Sequence, residues 1–168
     1  MLKARTVLNA VFLLVVLFNL FSWFILPDNV AIHFGGSGAP DSWMSKGAHI
    51  LIFMVLMAVL YGSFALSPRL LDEVPKKYIS LPNSDYWLLD ENMPEAKRRM
   101  ENIMYTLGVA TGLLMLGVLI LIVAANLSDT VRLNGGIFLV MFISYIAYTA
   151  WWLVRVFAAF RVPGTGSG

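Results

Sequence analysis

The sequence predicts an all-α membrane protein of four transmembrane helices. Both termini are expected in the cytoplasm, with a structured outer loop between helices 1 and 2 and an interfacial cytoplasmic segment before helix 3. Three observations carry this. Of 168 residues, 59% are hydrophobic and 13% charged, against roughly half and about a quarter in soluble domains. The apolar residues gather into four blocks, 7–26, 49–66, 103–125 and 136–160, each near the roughly 20 helical residues that cross a hydrocarbon core about 30 Å thick. Finally, ten Lys and Arg (Lys3, Arg5, Arg69, Lys76, Lys77, Lys97, Arg98, Arg99, Arg155 and Arg161) flank the N-terminus, second loop and C-terminal end, whereas only Lys46 and Arg132 occupy the other two loops. The positive-inside rule puts the richer side in the cytoplasm, regardless of the seven acids of the second loop. A multi-pass protein of the cytoplasmic (inner) membrane is expected.

Composition also excludes. The chain has no cysteine, which removes disulfides, thiolate catalysis and cysteine-ligated metals. Its pI near 9.0 does not signal nucleic acid, because the basic residues border the apolar blocks instead of forming one patch.

The elements follow in order. Block 7–26 is longer than a signal-peptide core and lacks a small-residue cleavage site, so it is expected to remain as an anchor ended by Leu26-Pro27. Asn19 and Ser22 within it should face other helices, since lipid offers them no partner. In the 22-residue loop Pro27–Ala48, Val30–Phe34 is β-prone. Gly35, Gly36 and Gly38 suit a tight reversal, Pro40-Asp41-Ser42 is turn chemistry, and Asp41 or Ser45 is placed to cap the next helix. The glycine intervals do not form a phosphate-binding GxGxxG, since Asp41 stands where the third glycine would fall.

The second loop, Ser67–Asn102, mixes Lys76 and Lys77 with Tyr86 and Trp87, a composition suited to the headgroup layer of anionic lipid. Asn92-x-x-Glu95 with Pro94 resembles a capping box, predicting a helix from near Met93 running unbroken through Lys97-Arg98-Arg99 into the third span. That span carries Gly108 and Gly112 in a small-xxx-small groove. The connection Asn126–Gly135 is short, making the last two spans antiparallel neighbours, so Tyr148 and Trp152 are expected to pack on the glycine face. Pro163 stops the last helix. Residues 1–162 are read as one transmembrane domain and 163–168 as a flexible tail or cloning scar.

LP-x-x-V-A-I-H-F, then G-x-P-D-S-W and S-K, resembles a bacterial family called domain of unknown function 1648, a domain also found in immunity proteins against the Sdp killing-factor peptide toxin. The resemblance rests on Leu26, Pro27, Ile32, His33, Phe34, Gly38, Pro40, Asp41, Trp43, Ser45 and Lys46. A second patch, SLPNSDYWL (Ser80–Leu88), resembles a segment of stand-alone members. What the resemblance implies is a small multi-span protein of the bacterial cytoplasmic membrane, mostly of unassigned function; the immunity proteins are longer.

Candidate site residues concentrate in the first loop: His33, Asp41, Trp43, Lys46 and His49, with Asp28 nearby. Two histidines and a carboxylate (His33, His49, Asp41) suit zinc, but their spacing matches no ligand motif. A hydrolytic reading takes His33 as base oriented by Asp41 with Ser37, Ser42 or Ser45 as nucleophile, and nothing in the spacing selects a serine. The bland reading has Asp41 capping a turn, Lys46 pairing with it and His33 bonding loop carbonyls. Between these stands a folded binding or sensing module, without cofactor and not an enzyme, whose ligand is a peptide, a lipid headgroup or a membrane-protein partner. A histidine would make it pH-sensitive. Small-solute transport is the rival class. Because the spans contain no Asp, Glu or Lys at mid-membrane, it would require a homo-oligomer.

Overall fold

The computed structural model describes residues 4–69 and 73–163. Four helices are long and apolar enough to cross a membrane: α1 (Ala4–Ser22), α2 (Lys46–Leu66), α4 (Met93–Asn126) and α5 (Gly135–Ala159). Between α1 and α2 lies an antiparallel pair of strands, β1 (Asn29–Phe34) and β2 (Pro40–Ser45). Between α2 and α4, the one-turn helix α3 (Ser84–Trp87) accompanies two 3-10 turns, Ser67–Arg69 and Lys76–Tyr78. Lys3 and residues 164–168 of the expected tail lie outside the described residues.

α1 buries a stripe of Leu8, Phe12, Val15, Asn19 and Ser22, spaced alternately by four and three as a helix–helix seam requires. The stripe packs on α4 and α2 in one core with Phe53, Met57, Tyr105, Leu119 and Val123. Both polar members face protein as expected: Asn19 Nδ2 donates to the Ile50 carbonyl (3.1 Å) and Ser22 Oγ to that of Asn19 (2.6 Å). Ser45 caps α2 by accepting from the Ala48 amide (3.3 Å), which starts the helix three residues ahead of the apolar block. α4 begins at Met93 and runs 34 residues without a break, about 51 Å at the helical rise, so its basic first turns extend past the hydrocarbon.

Three expectations are corrected. The fold is not all-α, because the first loop forms a hairpin of two strands. Pro40-Asp41-Ser42 is not its turn. The reversal is made earlier, with Gly35 N–H donating to the Ala39 carbonyl (2.9 Å) and Gly38 N–H to that of Gly35 (2.8 Å), and Gly38 taking a φ of +78°. Pro40 is left to open β2, a position where its missing N–H does no harm. The Asn92–Glu95 capping box does not form either. The Asn92 side chain donates through Nδ2 to the Tyr86 carbonyl (2.9 Å), and Glu95 is taken by Arg98 and Arg99.

The glycine groove of α4 also meets a different partner. A Cβ on Gly108 would fall 2.7 Å from Leu8 and 2.9 Å from Phe64, and one on Gly112 would fall 2.7 Å from Val11 and 3.2 Å from Phe12. The groove therefore receives α1 and the end of α2, not Tyr148 and Trp152. Those two reach α4 beside it, through hydrogen bonds from Tyr148 Oη to the Thr106 carbonyl (3.3 Å) and from Trp152 Nε1 to that of Ile103 (2.9 Å). Thr111 and Tyr145 share a third bond (2.9 Å). None of the residues of α5 is buried. It is held along one edge, by these bonds and by Trp152, Val156 and Ala159 packed against Trp87, Ala96 and Ile103, while the three other long helices form the larger core.

Candidate functional site at the hairpin end

One side chain of the bundle meets the hairpin with both of its polar groups. Asn126, the last residue of α4, accepts from the Ala31 amide (2.8 Å) and donates to the Ala31 carbonyl (2.9 Å). A carboxamide presents one donor and one acceptor side by side, as a neighbouring strand would. It therefore completes the free edge of β1 at a residue that is fully buried. The tip is held separately, where the Leu133 amide donates to the Gly38 carbonyl (2.9 Å). A Cβ on Gly38 would lie 2.5 Å from the Leu133 oxygen, so only glycine permits this approach.

The strands keep one register (Asn29↔Ser45, Val30↔Met44, Ala31↔Trp43, Phe34↔Pro40) except where His33 is set against Ser42. Beside that irregularity His33 Nδ1 meets Asp41 Oδ1 at 2.5 Å, with both side chains more than half exposed. Along β2 the exposed residues are Asp41, Trp43 and Ser45, the alternation of a one-sided strand. His33, Asp41 and Trp43 thus all lie at the outer surface of the hairpin.

Lys46 and His49 do not join them. Lys46 Nζ reaches the Leu26 carbonyl (3.2 Å) and Asp28 (3.1 Å) and lies 5.3 Å from the centroid of the Trp23 ring. It ties the end of α1 to the start of α2. The expected Lys46–Asp41 pair is therefore replaced on both sides, since Asp41 is held by His33. His49 is buried inside the bundle, 6.1 Å from the Phe53 ring, with no partner for Nε2. Asn19 Oδ1, equally enclosed, also has none. Consequently the zinc set of His33, His49 and Asp41 is not brought together, and among the described residues no three His, Asp or Glu cluster as metal ligands would. Two of the three candidate nucleophiles are engaged locally, Ser37 Oγ by the Ala39 amide and Ser45 Oγ by that of Ala48.

Beneath the tip a cleft of about 710 Å³ separates the hairpin from α4 and α5. Its walls are Val118, Leu121 and Ile122 of α4, Phe138 and Leu139 of α5, and His33 with Phe34, Gly35, Gly36 and Gly38 of the hairpin. That size lies within the usual range for small-molecule sites.

At the opposite end, Trp87 departs from the expected lipid contact. It is 2% exposed, because its indole N–H needs an acceptor and finds the Phe160 carbonyl (2.8 Å), which Asn83 also reaches (2.8 Å). Arg99 lies over its ring and donates to the Ala159 carbonyl. The three side chains together satisfy carbonyls at the end of α5 that a helix leaves open. Tyr86 stacks edge-on against Trp87, Lys76 pairs with Asp90 (2.7 Å), and Lys77 covers Tyr78.

Asn126 was not singled out from the sequence. An asparagine closing an apolar run reads as a helix end, and nothing local points to residue 31. The Asn83–Trp87–Phe160 cluster was missed for the same reason.

Four apolar helices of spanning length, packed as a thin bundle with apolar faces outward, define a multi-pass membrane protein. The family model described as Domain of unknown function (DUF1648) matches residues 10–59, covering most of α1, the whole hairpin and most of α2, and supports the assignment made from the loop motif. No curated protein and no solved structure matches the chain.

Proposed function

We propose that the hairpin end of the bundle is an outward-facing binding or sensing module, and that the protein is an accessory or immunity-like subunit of a bacterial cytoplasmic membrane. Both termini lie in the cytoplasm, and Lys77 and Tyr78 contact the inner headgroup layer, where Tyr78 is largely exposed. The uneven distribution of Lys and Arg supports this orientation. The observation that carries the binding role is the cleft under the hairpin. It is bounded on one side by a loop locked in place at Ala31 and Gly38, and His33, bonded to Asp41, stands on its wall. A loop fixed at two points presents a surface with little ordering cost on binding.

The absence of cysteine makes the test clean. Cysteine at Ser37 should react with a membrane-impermeant maleimide in intact cells, and cysteine at Asp85 only after lysis; the reverse pattern would overturn the orientation. A photoreactive phenylalanine analogue at Phe34 should yield an adduct of discrete mass in native membranes, lost when Gly135→Phe occupies the cleft. Irradiation that gives no adduct would overturn the binding role.

A further inference from the structure

At the end of the bundle away from the hairpin, a pocket of about 390 Å³ lies between the start of α1 and the early turns of α4. Its wall is Ala4 and Arg5 of α1 with Arg98, Glu101, Asn102 and Tyr105 of α4, so all but one of its side chains end in a polar group. Arg5 and Glu101 each stand just ahead of an apolar block, 7–26 and 103–125. That sets the pocket at the level of lipid headgroups, not of acyl chains. The charges are of both signs and do not cancel within the wall. Arg98 is answered by Glu95, which also holds Arg99. Arg5 and Glu101 share the pocket, yet neither forms an ion pair with the other or with any other described residue.

Tyr105 supplies a second, independent observation. It is 7% exposed, and its hydroxyl bonds to no described residue. That oxygen is not sealed in as Asn19 Oδ1 and His49 Nε2 are, so the little it exposes opens on this pocket. A phenol in a packed core ordinarily finds a partner; here the partner has to come from the pocket.

Going beyond the module at the hairpin end, we propose that this pocket takes the headgroup of one phosphatidylethanolamine of the bilayer. A ligand carrying both charges close together answers Arg5 and Glu101 at once. A plain anion would leave the carboxylate facing it, and a plain cation the guanidinium. The phosphodiester accepts from Arg5, whose fork of N–H donors suits it. The primary ammonium has three donors, which Glu101, the Asn102 carbonyl oxygen and Tyr105 Oη can accept. A choline headgroup bears the same charges without any N–H, and a glycerol headgroup bears no cation, so both satisfy less of the wall.

The full chain in nanodiscs of equal parts phosphatidylethanolamine, phosphatidylcholine and phosphatidylglycerol, released into native mass spectrometry, tests this. One phosphatidylethanolamine should be retained per chain ahead of the other two. Its N,N-dimethyl form, which keeps the charge and one N–H, should be retained to an intermediate degree; this arm uses the parent chain, so it decides whether or not a variant folds. Glu101→Gln should lower phosphatidylethanolamine about tenfold, the size of one charge-assisted hydrogen bond, toward the level of phosphatidylcholine. Arg5→Gln should lower both zwitterionic lipids and keep their ratio, and Arg132→Gln at the hairpin end should change neither. Retention in proportion to the bilayer, phosphatidylglycerol held ahead of phosphatidylethanolamine, or a ratio of the two zwitterionic lipids indifferent to Glu101→Gln would overturn the proposal. Soluble glycerophosphoethanolamine, the same headgroup without chains, should not be retained; if it is held as firmly as the lipid, the site belongs to a soluble zwitterion and the lipid falls.

Discussion

Asn126 and Ala31, 95 positions apart in the chain, exchange two hydrogen bonds of 2.8 and 2.9 Å through one carboxamide. This contact turns a polar loop into a fixed part of the bundle. It also places the His33–Asp41 pair and the cleft wall at defined positions relative to α4. Removing the carboxamide strands a buried donor and a buried acceptor at Ala31. Asn126→Ala should cost about 2 kcal/mol or more and speed exchange of the Ala31 amide, measured by hydrogen exchange in micelles.

The tip contact makes a sharper steric demand. With φ at +78° and the Leu133 oxygen 2.5 Å from the position of a Cβ, Gly38→Ala should destabilise by about 1–3 kcal/mol. Gly36→Ala is the control. Its Cβ would meet nothing within 4 Å, and the change should stay within about 0.5 kcal/mol. Thermal denaturation of the two variants in one detergent decides it; equal melting would mean the tip does not rest on Leu133.

Within the membrane, the glycine groove and the polar seam of α4 should differ in weight. Gly112→Leu drives a branched side chain into Val11 and Phe12 and should cost about 1–3 kcal/mol through overpacking. Tyr148→Phe removes only its bond to the Thr106 carbonyl and should cost about 0.6 kcal/mol, the usual value for a hydrogen bond between membrane helices. A steric-trap measurement in bicelles ranks them, and the opposite order would place the packed core between α4 and α5.

The loop before α4 should respond to acid. The hydrogen bond from Lys76, with its ammonium charge, holds the Asp90 carboxyl below the usual carboxylate range. A lowered value in the fold means that the pair stabilises above the ordinary carboxylate titration and that this contribution disappears as pH falls through the lowered one. Lys76→Met should return Asp90 to ordinary titration, read from its carboxyl carbon shift, and leave stability near neutral pH almost unchanged because the pair is exposed.

Much of the architecture was legible residue by residue. Four spans follow from runs of apolar side chains long enough to cross hydrocarbon, a property that needs no knowledge of neighbours. The start of α2 at the Ser45 cap, the unbroken helix from Met93 and the inward turn of Asn19 and Ser22 are likewise local, set by a hydroxyl at an N-terminus, an absence of breakers, and polar groups that lipid cannot satisfy. The glycines of the first loop announced a reversal, although Pro40-Asp41-Ser42 drew the eye to the wrong place.

The site was legible only as a stretch of sequence. Five residues gathered within seventeen positions separate into distinct roles once folded: His33, Asp41 and Trp43 at the surface of the hairpin, Lys46 as a tie between α1 and α2, and His49 enclosed against Phe53. The sequence by itself determined that the chain crosses a membrane, how many times, and which loop folds, because apolar length, caps and turn residues act over a few positions. The tertiary structure alone decided that the α4 groove receives Leu8 and Phe12, that Trp87 closes the end of α5, and that Asn126 holds Ala31. Each of those depends on which distant surfaces happen to complement one another in shape and hydrogen bonding, and no short-range pattern in a chain records that.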